Sequence, residues 1–374
     1  MKAELKTTPL FNEHKVLEAK LAPFSGWFLP IQYTGIIAEH NWTRRSCSLF
    51  DISYMGKFVI RSEPGKSNLE KIVTINLAKM PLGSCRYGFM LAEDGGIIDD
   101  IVVYKLKKDK WMLVGNAANA ESDAAYLKRH LSKNCQFEDV SNKLGKLDLQ
   151  GPFSRNVLKR IVGEDISRLK YYRFDYFSVL DEEIIISRTG YTGELGYELY
   201  LSNKNIEELW HLLLKDDRVK PAGLGARDTL RLEMGLPLYG QDINRQVSPK
   251  EAGLERFVDF SKDFLGREAI AKKNIKKRLS CFAANSRRAP RQGYKIYSQE
   301  KEIGVVTSGS FSPSLSCGIG MGYIDLENNK IGANIVLKQD DVQIEATIVN
   351  KPFYKQGSVN SHKSQVTSHK LQVT

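Results

Sequence analysis

Residues 86–114 read RYGFMLAEDGGIIDDIVVYKLKKDKWMLV, and this stretch decides the fold class. Apolar residues dominate 87–91 and 97–105, and Asp94-Gly95-Gly96 between them is a turn. A second turn at Lys108-Asp109-Lys110 leads into a further apolar run at 111–114. Short apolar runs joined by Gly- and Asp-rich turns are hairpin-linked strands. Working outward, 34–47 has helical spacing with Ile36, Ile37 and Trp42 on one stripe, and 57–61 reads as a strand. On the other side come a helix over 120–131, a strand at 147–149 and a helix at 152–162. Residues 172–200 are β-rich, with strands at 184–187 and 197–200, and 205–214 and 226–233 are helical. After Leu279 the signals are Gly, Pro, Ser and short β runs such as 304–307 and 335–337, which predicts a separate all-β domain. The class is α+β.

The chain has 374 residues, 42% hydrophobic and 26% charged, so it is neither disordered nor fibrous, and its length predicts two or three domains. Its five cysteines, Cys47, Cys85, Cys135, Cys281 and Cys317, are widely spaced and form no Cys-x-x-Cys pair. That argues against zinc, iron–sulfur and dithiol chemistry, and no metal is expected. No run of about 18 apolar residues is present to span a membrane. The start, 1–15, lacks an apolar signal stretch, so the expected location is the cytoplasm. Net charge is +11. Residues 351–374 contribute Lys351, Lys355, Lys363 and Lys370 and no acid, and they end in a tandem, SHKSQVT (361–367) then SHKLQVT (368–374). Such a polar repeat cannot bury enough apolar surface to fold alone and is expected to be a disordered basic tail. The excess charge favours anionic partners. Without a clustered Lys/Arg–aromatic stripe it does not indicate nucleic acid.

Several chemistries lack their motifs. Histidines number six, two of them (His362 and His369) in the tail, and none has a Gly-x-Ser-x-Gly or His-Glu-x-x-His context. No phosphate loop is present, and Gly223-Leu224-Gly225 and Gly318-Ile319-Gly320-Met321-Gly322 are poor dinucleotide fingerprints. Carboxylates remain. Asp99 and Asp100 are adjacent on an otherwise apolar strand, so they point to opposite faces. Either both belong to a polar hairpin end, or one faces the buried side or a cavity. In Arg188-Thr189-Gly190-Tyr191-Thr192-Gly193-Glu194-Leu195-Gly196-Tyr197-Glu198, three glycines in seven residues imply close backbone approaches. Glu198 then enters a strand half-buried and needs a partner. That partner is Arg188 or Arg227, or else a ligand presenting two adjacent N–H donors, as the 2-amino-4-oxo pyrimidine of a pterin does.

Taken together, PFSGWFLPIQY (23–33), LFDISYMG (49–56), GGIIDDIVVYK (95–105), RTGYTGELGYELY (188–200), GLGARDTLRLEMGLPLYGQD (223–242), APRQGY (289–294) and GVVTSGSFSPSL (304–315) resemble the aminomethyltransferase, or T-protein, family of the glycine cleavage system. The resemblance runs in order over nearly the whole chain apart from the tail. It implies three domains around a central channel that holds tetrahydrofolate, the first two α+β and discontinuous, the third a β-barrel. On this sequence the domains fall at 1–50 plus 140–245, 51–139 plus 246–278, and 279–357, followed by the tail at 358–374. The implied reaction takes the methylene carbon of an aminomethyl group on the lipoyl arm of the H-protein. It passes that carbon to tetrahydrofolate, the acceptor substrate, giving 5,10-methylenetetrahydrofolate and ammonia.

The resemblance also assigns residues. Asp100 matches the catalytic carboxylate and Glu198 the pterin-binding one. Tyr191, Asn116, Met55, Tyr87, Arg227 and Tyr171 or Tyr172 match folate-channel positions. Lipoylated H-protein is the implied protein partner. Four positions depart from the pattern: Tyr54 stands where His is frequent, Arg288 and Glu255 where Gly is, and Gln356 where relatives usually carry Arg. The segment KDFLGRE (262–268) lacks the cysteine of the iron–sulfur-assembly branch of this fold. A non-catalytic folate-binding or adaptor protein of the same fold is the alternative. It needs Glu198 but not Asp100.

Overall fold

Alternation along two strands explains how the first two-thirds of the chain is layered. In Ile97–Lys105, Asp99, Ile101 and Val103 face one way and Asp100, Val102 and Tyr104 the other. Ile101 and Val103 join an apolar cluster with Leu69, Ile72, Leu113 and Leu127, beneath the helices Leu69–Ile72 and Ala120–His130. In Leu144–Gln150, Leu147 and Leu149 pack with Leu158, Leu209, Trp210 and Leu213, under the helices Ser154–Val162 and Ile206–Leu214. The opposite faces of the two sheets meet each other. Cys85, Tyr104, Met112 and Val114 from one pack against Phe174, Tyr200 and Ile185 from the other. The result is four layers, helices–sheet–sheet–helices, with apolar residues on both faces of each sheet.

The computed structural model describes residues 4–63, 65–163 and 166–360. Of the disordered tail expected at 358–374, the tandem at 361–374 lies outside them, whereas 358–360 form an ordered turn, because Ser358 and Val359 bond to Glu194 and Gly193. One sheet has five antiparallel strands, with Ile97–Lys105 between Cys85–Leu91 and Lys110–Gly115 and with Gly56–Arg61 and Gln136–Asp139 beyond. The Asp94-Gly95-Gly96 turn forms as expected. Gly95 has φ +83, the Ala92 N–H donates to the Gly96 carbonyl, and the Gly96 N–H donates to Asp94. A bulge follows, because Leu91 pairs with Ile97 while Met90 pairs with Asp99. The other sheet has six strands, with Leu144–Gln150 pairing Gly196–Ser202 on one side and Cys47–Asp51 on the other.

Residues 277–349 close into a six-stranded barrel. The all-β reading after Leu279 therefore stands, and the chain is α+β with a C-terminal barrel. Buried polar bonds pin that barrel to the helix Leu224–Glu233. Arg231 donates to Ser308 at 2.9 Å, and Ser312 and Ser314 donate to Glu233 at 2.6 and 2.8 Å. Among the described residues no helix is long and apolar enough to cross a membrane.

Candidate functional site

Where the inter-sheet layer reaches the helix Leu224–Glu233, side chains give way to a cavity of about 360 Å³. All eight residues assigned from the sequence line it: Asp100, Glu198, Tyr191, Asn116, Met55, Tyr87, Tyr172 and Arg227. Tyr54, Lys146, Thr189 and Tyr239 line it as well. A second cavity of about 320 Å³ shares Tyr87, Asp100, Tyr172, Thr189, Gly190, Tyr191 and Pro237 with the first, so the two are contiguous. Among the described residues Asp100 is the one carboxylate that lines both. Arg188, Arg256 and Lys351 add positive charge to the second.

Strand geometry sends the aspartate pair apart. Asp100 enters the cavity, and Asp99, fully buried, lies on the helix side of the sheet. Neither forms a polar hairpin end. Asn116, just past the strand Lys110–Gly115, bridges them. Its Nδ2 donates to Asp99 Oδ1 at 2.8 Å and to Asp100 Oδ1 at 2.7 Å. The Tyr87 hydroxyl donates to Asp100 Oδ2 at 3.1 Å. Burial first, and then the charge of Asp99, push the Asp100 carboxyl up to about 7, against these two donors. Asp100 thus stands at the boundary between acid and base at neutral pH.

Glu198 has a different partner from the two expected. Its Oε1 pairs with Lys146 Nζ at 2.8 Å, and its Oε2 accepts from Thr189 Oγ1 at 2.6 Å. The hydroxyls of Tyr104 and Tyr200 stand at 3.4 Å. Arg227 is instead paired with Asp148 at 2.5 Å and lies over the Tyr191 ring, while Arg188 donates to backbone carbonyls of Leu169 and Val359. Burial would raise the Glu198 carboxyl, but Lys146 and its hydrogen bonds outweigh that and hold it below the usual range. Lys146 and Asp148 were detectable as polar residues two apart on an apolar strand. In the sheet they sit directly opposite Tyr200 and Glu198 on the neighbouring strand. The cavity wall therefore carries compensated charges: Lys146 and Glu198 pair across adjacent strands, and Arg227, from the helix Leu224–Glu233, is paired with the buried Asp148 behind the wall.

Local backbone fixes the remaining side chains. Gly190 and Gly196 flank the Gln150 amide so closely that a Cβ on either would overlap it, which accounts for the glycine spacing. Gln150 in turn donates to Asp148 and accepts from Thr192. Tyr172 sits at φ +57, a left-handed conformation unusual for a tyrosine. Bonds to both sides hold it there: Tyr172 N donates to Arg188 O at 3.0 Å, and Cys85 N to Tyr172 O at 3.1 Å. Of the two tyrosines left open by the sequence, Tyr172 lines both cavities and Tyr171 only the second. Lys57 Nζ, buried, donates to the carbonyls of Ser53 and Met55 at 2.8 Å and so fixes the turn that presents Tyr54 and Met55. Burial, then Lys146, push Lys57 down to about 7.

The C-terminal end of the described chain closes over the glycine-rich loop. Ser358 donates to Glu194 through its N–H and its hydroxyl, Leu195 N donates to Ser358 Oγ, and Val359 N donates to Gly193 O. Residues 356–360 thus pack beside the second cavity, which Val359 lines.

Residues 10–262 match the family model described as GCVT N-terminal domain, and residues 277–355 match the glycine cleavage T-protein C-terminal barrel domain. Among characterised sequences the chain is similar to an aminomethyltransferase of Halothermothrix orenii, 43% identical over 356 residues, covering 93% of this chain and 100% of that one. An aminomethyltransferase of Aquifex aeolicus is 40% identical over 348 residues, covering 93% and 95%. Among solved structures, glycine cleavage system aminomethyltransferase T from Bartonella henselae superposes with a TM-score of 0.89 at 33% identity, over 95% of this chain and 99% of that one.

Proposed function

This chain belongs to the glycine cleavage T-protein family, and from that premise we propose that its contiguous cavities bring an H-protein-borne aminomethyl group and tetrahydrofolate together at Asp100. The chain is an aminomethyltransferase of the glycine cleavage system. In the proposed reaction the C–S bond of the aminomethyl thioether breaks and the sulfur leaves as the thiol of the lipoyl arm. The carbon passes through an iminium-like cation to the amine nitrogens of tetrahydrofolate, and ammonia departs. The product is 5,10-methylenetetrahydrofolate.

The single observation that carries this reading is Asp100, the carboxylate common to both cavities, held at two oxygens by Asn116 and Tyr87. A fixed carboxylate in a largely buried site stabilises a developing cation without having to reorganise. Held near neutrality, it also accepts the proton that the attacking amine loses. Glu198, Lys146 and Arg227 offer an acceptor and donors to a fused pyrimidine, with the aromatic rings of Tyr191, Tyr87 and Tyr172 around it. The basic rim of the second cavity suits an acidic carrier protein. Cytoplasmic residence is the matching expectation.

The test is ammonia release from aminomethyl-loaded H-protein with and without tetrahydrofolate. Folate-stimulated release supports the transferase. Folate binding with no effect on ammonia release supports the adaptor of the same fold instead.

A further inference from the structure

Asp123 lies in the first turn of the helix Ala120–His130, fully buried beneath the strand that carries Asp99 and Asp100. Neither of its carboxyl oxygens receives a hydrogen bond from a donor group. It lies in hydrogen-bonding contact with Asp99. Gly115 makes that approach possible, since a Cβ there would stand 2.7 Å from Asp99 Oδ2 and 3.0 Å from Asp123 Oδ2. The groups facing this pair are Asp100 from the same strand, Asn116 and Asn119 from the following turn, and Tyr239 from the loop before the barrel. None is a cation. The start of a helix favours negative charge but gives Asp123 no donor here.

The proton on this pair can be assigned by counting acceptors. An ionised carboxylate has about four acceptor sites. Asp99 accepts from Asn116 N at 2.8 Å, Asn116 Nδ2 at 2.8 Å and Asn119 Nδ2 at 2.7 Å, which fills three. An O–H from Asp123 supplies the fourth. Reversing the assignment would put the proton on the carboxyl that already holds three donors and leave the donor-poor one charged. Burial first, and then Asp99, push the Asp123 carboxyl well above the usual range, in the same sense.

We propose that Asp123 is a positioning residue for the transfer reaction: it stands as the carboxylic acid, donates to Asp99, and keeps Asp99 the anion that with Asn116 aims and biases Asp100. No covalent step is involved, because the proton stays on Asp123 and is only donated in a hydrogen bond to Asp99. The consequence falls on Asp100, whose elevated proton affinity comes partly from the neighbouring Asp99 charge. The proposal rests on Asp100 acting as described under Proposed function, but its first test does not depend on activity.

That test is infrared difference spectroscopy on the full-length protein above about pH 8, where ordinary carboxyls are ionised. The wild type is expected to show a protonated-carboxyl stretch that disappears in Asp123→Asn and persists in Asp100→Asn. Its absence from the wild type overturns the proposal and leaves the role of Asp100 untouched. The second test is kinetic. Asp123→Leu removes the fourth donor, so Asp99 takes up a proton and stops repelling a charge on Asp100. The acid limb of the transfer rate then moves to lower pH by about one unit and kcat falls about tenfold, while KM for tetrahydrofolate stays within a few-fold. Asp123→Asn, whose amide still donates, is expected to rescue most of that loss. Equal kinetics in the Leu and Asn variants overturns the proposal. Should Asp123→Leu fail to fold, the infrared result decides. Full transfer activity in Asp100→Asn would instead sink the reaction as read, with the infrared assignment still standing.

Discussion

Replacing Lys146 by methionine isolates the charge compensation that builds the cavity wall. The side chain is nearly fully buried, its Nζ is 2.8 Å from Glu198 Oε1, and it already touches the Met55 sulfur, so an apolar replacement of similar length packs in place. What changes is that Glu198 becomes a buried carboxylate without its cation. Breaking such a pair costs about 3–5 kcal/mol. Glu198 can limit that loss by taking up a proton. From an ordinary Glu pKa of about 4.3, doing so at pH 7 costs about 3.7 kcal/mol, and at pH 5 only about 1 kcal/mol. The destabilisation of Lys146→Met is therefore about 3–4 kcal/mol at pH 7 and about 1 kcal/mol at pH 5.

The sign follows from linkage. In the wild type the Glu198 carboxyl is held low, so its contribution is present above the unfolded pKa and is lost as pH falls through the folded one. In the variant the carboxyl is raised instead, so the penalty appears only as pH rises. Urea unfolding of both proteins at the two pH values measures this. The double variant Lys146→Met, Glu198→Gln, which holds no unpaired charge at this pair, recovers most of the loss. A pH-independent destabilisation, or a double variant no better than the single one, refutes the reasoning.

Three further outcomes follow from the same contacts. With Asp100 pushed up to about 7, the transfer rate falls as pH drops below neutrality, and Tyr87→Phe, which strips a donor from the carboxylate, moves that limb upward by up to about one unit. A limb that stays put or moves down in a pH–rate profile contradicts this. Because the Asp100 carboxyl is raised, its contribution to stability is complete below the ordinary carboxylate range and lost as pH rises through about 7. Asp100→Asn should thus be more stable than the wild type at pH 8 by thermal melting, and lower stability there would count against the burial described. Ending the chain at Gly357 removes Ser358 and its two bonds to the Glu194 carboxylate, expected to cost about 2–4 kcal/mol, whereas ending it at Asn360 keeps them. Equal melting temperatures for the two truncations would show that those bonds carry no stability.

How much of this was legible differs from residue to residue. Strands on which apolar side chains alternate or run together, such as Ile97–Lys105, were evident because period two is a property of the sequence itself. The six-stranded sheet was harder to read: only 147–149 of its central strand, Leu144–Gln150, stood out, since Lys146, Asp148 and Gln150 give one of its faces a polar pattern that does not look buried. Those residues are buried because a neighbouring strand, far along the chain, places Glu198 and Tyr200 opposite them. No local signal reports that pairing, and so Arg188 and Arg227 stood as the candidate partners of Glu198 in place of Lys146. The hairpin Lys20–Phe24 with Trp27–Gln32 went unread for a different, local reason, its stripe of apolar residues being interrupted by Pro23 and Pro30. The cavity residues were reached through ordered motifs, and the structure gathers all eight around one space. Asp123 carried no motif at all. It became visible only once a helix start and a strand were seen to press two carboxylates against Gly115.

The most direct measurement is the single-turnover rate of 5,10-methylenetetrahydrofolate formation from aminomethyl-loaded H-protein by Asp100→Asn, with tetrahydrofolate affinity measured alongside by calorimetry. A carboxylate that acts on the developing cation predicts a loss of about 10²-fold or more with affinity kept within a few-fold. A rate close to that of the unaltered protein would contradict it.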